Sequence, residues 1–287
     1  MANQITIISG KGGTGKTTLS AALAAQAANN AIFADVDVDA PDLHLILQPE
    51  KLEEEKLYLT KKVHRKEELC TRCGLCEEKC RFNAITTTEI NFYKCEGCGL
   101  CPRICPEDAL YMKEYYSASV FHSKTRFGHF THAEMAIGEG NSGKIVSSIR
   151  KKAQKLAEDY SKEYIIIDGS PGIGCPVIAS ITGVDLVLII VEPTLSGIHD
   201  LERVLGVTQH FEVPAMVCIN KYDLNKQNTK DIETFCKKNN INIIGKIPFT
   251  KVVPKSIIEQ KSIMEMDNEE IKKIFQSTWQ NIQKYFH

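Results

Sequence analysis

The chain has 287 residues, 43% of them hydrophobic, with 35 lysines and arginines against 36 aspartates and glutamates. That length can bury a sizeable core and leaves room for one main domain plus an insert of about 50 residues. The balanced charge gives no positive field to draw nucleic acid or an anionic membrane, so neither is an expected partner.

The N-terminal Met1-Ala2-Asn3-Gln4 carries no basic, apolar leader, so a cytoplasmic location is expected. Eleven cysteines in such a chain point to metal or thiol chemistry, because reducing compartments disfavour disulfides. The apolar run Ile5-Thr6-Ile7-Ile8 predicts a strand, and the alanine-rich segment over 16–28 predicts a helix. Between them, Ser9-Gly10-Lys11-Gly12-Gly13-Thr14-Gly15-Lys16-Thr17-Thr18 satisfies G-x-x-x-x-G-K-[ST]. Strand, loop and helix are the context a phosphate loop needs, since backbone N–H groups and a helix N-terminus must converge on the anion. Gly10, Gly12, Gly13, Thr14, Gly15 and Thr18 then shape the cradle, Lys16 meets the terminal phosphates, and Thr17 offers its hydroxyl to Mg²⁺. A second strand over 31–34 runs into Asp35-Val36-Asp37, with Asp39 and Asp42 following.

Residues 70–105 hold eight cysteines in two matching runs: Cys70, Cys73, Cys76 and Cys80, then Cys95, Cys98, Cys101 and Cys105-Pro106. A disulfide framework and paired zinc sites suit this spacing poorly. The runs resemble those of two-cluster bacterial ferredoxins, in which the fourth cysteine of each run ligates the other run's cluster. That resemblance implies one [4Fe–4S] cluster on Cys70, Cys73, Cys76 and Cys105, and a second on Cys95, Cys98, Cys101 and Cys80. The flanks repeat as well, Asn83-Ala84-Ile85 paralleling Asp108-Ala109-Leu110. Residues 59–111 are therefore expected to form an inserted ferredoxin-like α+β domain, with 1–58 and 112–287 as the main domain.

Residues 112–143 show no clear period and are expected to be a connector between the domains, with His122, His129 and His132 as surface or packing side chains. Strands are predicted over 164–167, 186–191, 215–219 and 242–247, and helices near 144–160, 198–210, 229–239 and 268–286. Such alternation implies an α/β fold, a mostly parallel sheet with helices on both faces and ligands at the carboxyl ends of the strands. Three motifs end these strands: Asp168-Gly169-Ser170-Pro171-Gly172, Asn220-Lys221-Tyr222-Asp223 and Ile247-Pro248-Phe249. Cys175, Cys218 and Cys236 remain outside the twin runs, and the role of Cys175 stays open between packing at a helix start and a thiol that binds metal or a substrate.

The loop form Lys-Gly-Gly-x-Gly-Lys-Thr, with Lys11 as its extra lysine, resembles the deviant Walker A of the MinD/ParA/Mrp and nitrogenase-iron-protein superfamily. Over most of its length the chain looks like MinD-superfamily P-loop ATPases with an inserted ferredoxin domain, in the order phosphate loop, Asp-x-Asp, twin cysteine runs, Ile137 to Lys144, Asp168 to Gly172 and Asn220 to Asp223. The resemblance implies an ATP-sandwich homodimer in which Lys11 reaches the partner's nucleotide and Asp37 orients the attacking water. It also implies that Asp168 holds Mg²⁺ with Thr17, that Gly172 senses the γ-phosphate, and that Asn220 and Pro248 take the adenine. Asn-Lys-x-Asp also reads guanine in GTPases, so GTP stays open beside ATP, as Asp39 does beside Asp37.

The function expected is an ATP-gated electron carrier that delivers electrons from its clusters to a redox protein partner. A cluster carrier resembling Mrp is one alternative, although the C-terminal Cys-x-x-Cys of that group is absent. A non-redox positioning ATPase of the MinD or ParA kind is another. The apolar stripe of Ile271, Ile274, Phe275, Ile282 and Tyr285 suits core packing better than a membrane, because residues 265–287 carry four carboxylates against three lysines, a poor balance for anionic lipid.

Overall fold

The computed structural model describes residues 2–139 and 142–287, so Gly140 and Asn141 of the 137–144 stretch lie outside the described residues. The chain divides into two compact units. One comprises Met1–Glu54, Val120–Ala133 and Ser142–His287, and the other Glu55–Ser119 with Glu134–Asn141.

The elements in chain order are β1 (Asn3–Ser9), α1 (Lys16–Ala27), β2 (Ala31–Asp35), α2 (Leu43–Leu47), β3 (Glu50–Leu57), β4 (Thr60–Arg65), α3 (Leu75–Lys79), α4 (Leu100–Ile104), β5 (Leu110–Tyr115), β6 (Ala118–Thr125) and β7 (Gly128–Met135). They continue with α5 (Ser142–Asp159), β8 (Tyr164–Pro171), α6 (Cys175–Ile181), β9 (Leu186–Val191), α7 (Leu195–His210), β10 (Ala215–Asn220), α8 (Lys226–Lys238), β11 (Asn242–Ile247), α9 (Val252–Ile258) and α10 (Glu269–Phe286).

Among the described residues, nine strands pair in the order β11-β10-β9-β1-β8-β2-β7-β6-β3. The pairs from β11 across to β7 are parallel. Their centre is continuous apolar sequence because both faces are covered: Ile5, Ile7 and Ile8 are buried beside Ile165–Ile167 and Leu186–Ile190. The register sets Ile5 opposite both Ile166 and Leu186. Helix α1 is small and apolar nearly all round, so Leu19, Ala21, Ala22, Leu23 and Ala24 sink into the same core.

The stretch expected to be a connector is in fact largely strand. β6 and β7 are neighbours joined by Arg126-Phe127 alone, a link so short that they must run antiparallel. Their pattern was hidden because buried Ser119, Ser123 and Thr131 take positions where an apolar residue would have marked a period. The edge strand β3, Glu50–Leu57, was also missed. Its sequence EKLEEEKL is exposed almost throughout, and such charge on an edge guards against pairing with another sheet.

Helix α10 buries Ile271, Phe275 and Ile282 with Trp279, which meets the Tyr164 ring edge-on at 5.1 Å, while Tyr285 faces solvent. The stripe is core packing. Phe275→Ala is accordingly expected to cost about 3–5 kcal/mol in chemical denaturation. No helix among the described residues is long and apolar enough to cross a membrane.

In the second unit, β4 and β5 pair antiparallel from Thr60↔Tyr115 to Arg65↔Leu110. Val63, Ala84, Ile85, Cys95 and Leu110 form its small core. The sequence repeat carries into the backbone: Arg72, Gly74 and Asn83 have positive φ, and so do Gly97, Gly99 and Asp108 at the matching positions of the second run. Gly74 and Gly99 each open a short helix, α3 and α4. Gly97 lies so close to the Lys61 carbonyl that a Cβ there would collide with it.

Candidate functional site

The glycine-rich loop leaves β1 at Ser9 and enters α1 at Lys16. Gly15 has φ +96°, and a Cβ on it would strike the Asn220 amide. That amide donates to the Thr14 carbonyl at 2.8 Å, so the end of β10 braces the loop. Gly12, Gly13, Gly15, Lys16, Thr17 and Thr18 line a cavity of about 420 Å³, closed on other sides by Asp37, Asn220 and Pro248. Its size suits a small-molecule ligand.

The Lys16 ammonium is buried and lies 3.6 Å from Asp37 Oδ2. Asp168 sits beneath and accepts from Ser20 Oγ at 2.9 Å. Asp35 is its register partner across β2 and β8. Burial pushes all three carboxyl groups up: Asp168 to about 6 against the pull of Lys16, Thr17 and Ser20, and Asp35 well above the usual range, with Asp168 adding to it. For Asp37 too, burial is the largest cause, with Lys16 opposing it. A dry, acidic floor beside a hydroxyl and an ammonium suits a hard divalent cation carried in with a phosphate chain. Among the described residues no three His, Cys, Asp or Glu converge on a single ion. Mg²⁺ needs no such cage, since it takes one or two carboxylates and fills its shell with phosphate and water.

Asp35 is a residue the sequence reading passed over. Its carboxylate accepts the backbone N–H of Asp37 at 3.0 Å and of Leu43 at 3.1 Å, fixing the loop that carries Asp37. Asp39 is exposed and does not line the cavity, whereas Asp37 does. Gly172 donates to the Ser9 carbonyl at 2.8 Å, tying the end of β8 to the start of the glycine-rich loop.

Gly10, Lys11 and Thr14 face a separate crevice that includes Glu192 and Gly197. The Lys11 ammonium lies 3.2 Å from Thr194 Oγ1, 3.4 Å from Ser196 Oγ and 4.0 Å from Glu192 Oε2. Glu192 also pairs with Lys221. Its position after the apolar run 186–191, at the carboxyl end of β9, was the signal available in the sequence. Asp223 Oδ1 accepts the Phe249 N–H at 2.7 Å, so this acid braces the Pro248 segment against β10.

In the second unit, Cys70, Cys73, Cys76 and Cys105 line one cavity together. Cys80, Cys95, Cys98 and Cys101 line another. Each thus draws three cysteines from one run and the last from the other. Among the described residues these cysteines form no group of three placed to hold a metal ion. Burial pushes the Cys101 thiol to about 11 and raises Cys76.

Cys175 is exposed at the first residue of α6, so of the two roles left open for it the structure speaks against packing. Cys218 and Cys236 are buried, and burial pushes their thiols to about 12 and about 11. His132 stacks between Phe121 and Phe130, and His122 Nε2 lies 2.9 Å from His129 Nδ1, so these histidines pack and pair with one another.

The profile of the CobQ/CobB/MinD/ParA nucleotide binding domain matches residues 5–263. An uncharacterised protein of Methanocaldococcus jannaschii is 34% identical over 286 residues, which is 98% of this chain and 97% of that one. The fold superposes on the septum site-determining protein MinD of Pyrococcus horikoshii, solved with Mg-ADP, with a TM-score of 0.62 at 14% identity over 100% of this chain and 98% of that one. It also superposes on the MinC:MinD cell division complex of Aquifex aeolicus, with a TM-score of 0.61 at 19% identity over 99% and 96%. The α/β fold with its mostly parallel sheet is that of the P-loop NTPases.

Proposed function

The chain belongs to the CobQ/CobB/MinD/ParA nucleotide binding domain family, and on that premise we propose that it is a cytoplasmic ATP-hydrolysing iron–sulfur protein, a homodimer that passes electrons to a protein partner. The observation that carries the iron–sulfur part is the sharing of each cysteine cavity between the two runs. Eight thiols in two sets of four suit two [4Fe–4S] clusters, which when bound supply one-electron chemistry. We assign them to residues 59–111, with 1–58 and 112–287 as the ATPase part.

Lys16 and the backbone of Gly12 to Thr18 bind the phosphates, Thr17 and Asp168 hold Mg²⁺, and Asp37 orients the water. Asn220 and Pro248 bound the end of the cavity where the base would lie. ATP is favoured over GTP because Asp223, the acid that would read guanine, already accepts the Phe249 N–H. In a deviant Walker A, Lys11 acts on the partner's nucleotide, and here it points out of its own cavity. To act it must leave Thr194, Ser196 and Glu192. Leu195, between those hydroxyl-bearing residues, is 89% exposed, an apolar side chain suited to a second copy. Leu195→Glu is therefore expected to block ATP-dependent dimerisation in light scattering while leaving nucleotide affinity within about threefold of the parent.

The two superposed neighbours named above are MinD proteins, one of them in complex with MinC. Fold and family therefore favour a second, coarser reading, a MinD/ParA-like ATPase that recruits a protein partner without redox chemistry. Anaerobically prepared protein separates the two. Phosphate release from Mg-ATP faster than from Mg-GTP, together with paramagnetic signals on dithionite reduction, supports the electron carrier. Hydrolysis with no reducible centre leaves the recruiting ATPase, and no hydrolysis refutes both.

A further inference from the structure

Strand β4 places one buried cation beside each cysteine cavity, and the two are compensated differently. Lys62 Nζ donates to the Cys95 carbonyl at 2.9 Å and pairs with Glu139 Oε1 at 2.9 Å. Glu139 Oε2 accepts from Thr60 Oγ1 at 2.8 Å. Both side chains of the pair are buried, at 6% and 1% exposure, so the cation nearest the cavity of Cys80, Cys95, Cys98 and Cys101, reached through the Cys95 backbone, belongs to a pair of no net charge.

Arg65 lines the other cavity, with Cys70, Cys73, Cys76 and Cys105. It donates to the carbonyls of Thr86 and Thr87, which hold its guanidinium without offsetting its charge. Its carboxylate neighbour Glu67 is 3.8 Å away and 64% exposed, against 2% for Arg65. An exposed partner at that distance neutralises little. The remaining charged side chains lining these cavities and the surface between them are Arg72, Glu107, Lys79, Arg81 and Glu96. All are exposed, and water and salt screen them.

Building on the two-cluster reading, we infer that the two centres are inequivalent: the one held by Cys70, Cys73, Cys76 and Cys105 takes the first electron, and Glu139 keeps the other at lower potential. Reduction adds one negative charge to a centre. A buried, uncompensated guanidinium stabilises that charge, whereas the Lys62 ammonium is offset by Glu139. One electron from dithionite, itself oxidised, thus converts the first centre from its 2+ to its 1+ state, and the second electron follows at the other.

The test is an EPR-monitored redox titration of the anaerobic, full-length protein with dithionite, after iron and sulfide have been measured. Two separate midpoints are expected. Arg65→Gln should lower the upper one, with the share of the first electron on that centre falling by about tenfold, the order expected for one buried unit charge. Arg65→Lys, which keeps the charge, should stay near the parent. Glu139→Gln keeps an acceptor for Thr60, frees the Lys62 charge and should raise the lower midpoint alone. If Arg65→Gln loses its iron, Glu139→Gln alone decides. Full iron with coincident midpoints, or Glu139→Gln moving the upper centre or neither, overturns the inference. Absence of iron in the parent refutes the two-cluster reading itself.

Discussion

Lys16→Ala is expected to weaken ATP binding by about 2–5 kcal/mol, thirtyfold or more, because a buried ammonium that meets the phosphates has no substitute in the loop. Its 6% exposure and its position 3.6 Å from Asp37 leave that carboxylate without its cation in the variant, so the binding surface becomes more negative where the phosphates must sit. Lys11→Ala should behave differently. The Lys11 side chain rests on Thr194 and Ser196 outside its own cavity, so affinity should change little. Hydrolysis and dimerisation should fail, with turnover falling by about 10³–10⁵, the range of a finger supplied in trans. Calorimetric titration, phosphate release and light scattering check the three quantities. Full turnover in Lys11→Ala would refute the sandwich dimer, and unchanged affinity in Lys16→Ala would refute the site.

Cys105→Ala is expected to remove one centre of two, cutting bound iron from about eight to about four per chain. The centre lost should be that of Cys70, Cys73 and Cys76, because Cys105 lines their cavity. Cys80→Ala should remove the other, since Cys80 lines the cavity of Cys95, Cys98 and Cys101. EPR distinguishes these losses, as the signal surviving in Cys105→Ala should be the one whose midpoint Glu139→Gln raises. If the surviving signal is instead insensitive to Glu139→Gln, each fourth cysteine serves its own run.

The central strands were legible because burial on both faces forces uninterrupted apolar sequence, as at Leu186–Val191. The glycine-rich loop was legible because the cradle has few chemical solutions. β6 and β7 were not, since their buried positions include Ser119, Ser123 and Thr131, polar residues that leave no apolar alternation to read. β3 was hidden because an edge strand may be wholly polar. Asp35 stood in plain view within Asp-x-Asp, yet its task, holding the N–H groups of Asp37 and Leu43, depends on how the following loop turns back. Glu192 is a single acid without a motif, and Glu139 stands in the Ile137 to Lys144 stretch with no role assigned by it. Each is revealed only by the lysines it meets, Lys11 and Lys221 for one and Lys62 for the other.

Iron, acid-labile sulfide and zinc measured per chain on anaerobically isolated protein test most directly whether the second unit carries the two proposed cubane clusters. The expected result is about eight iron and about eight sulfide with negligible zinc. Zinc at one or two per chain, or retained ATP hydrolysis with neither iron nor sulfide, would contradict it.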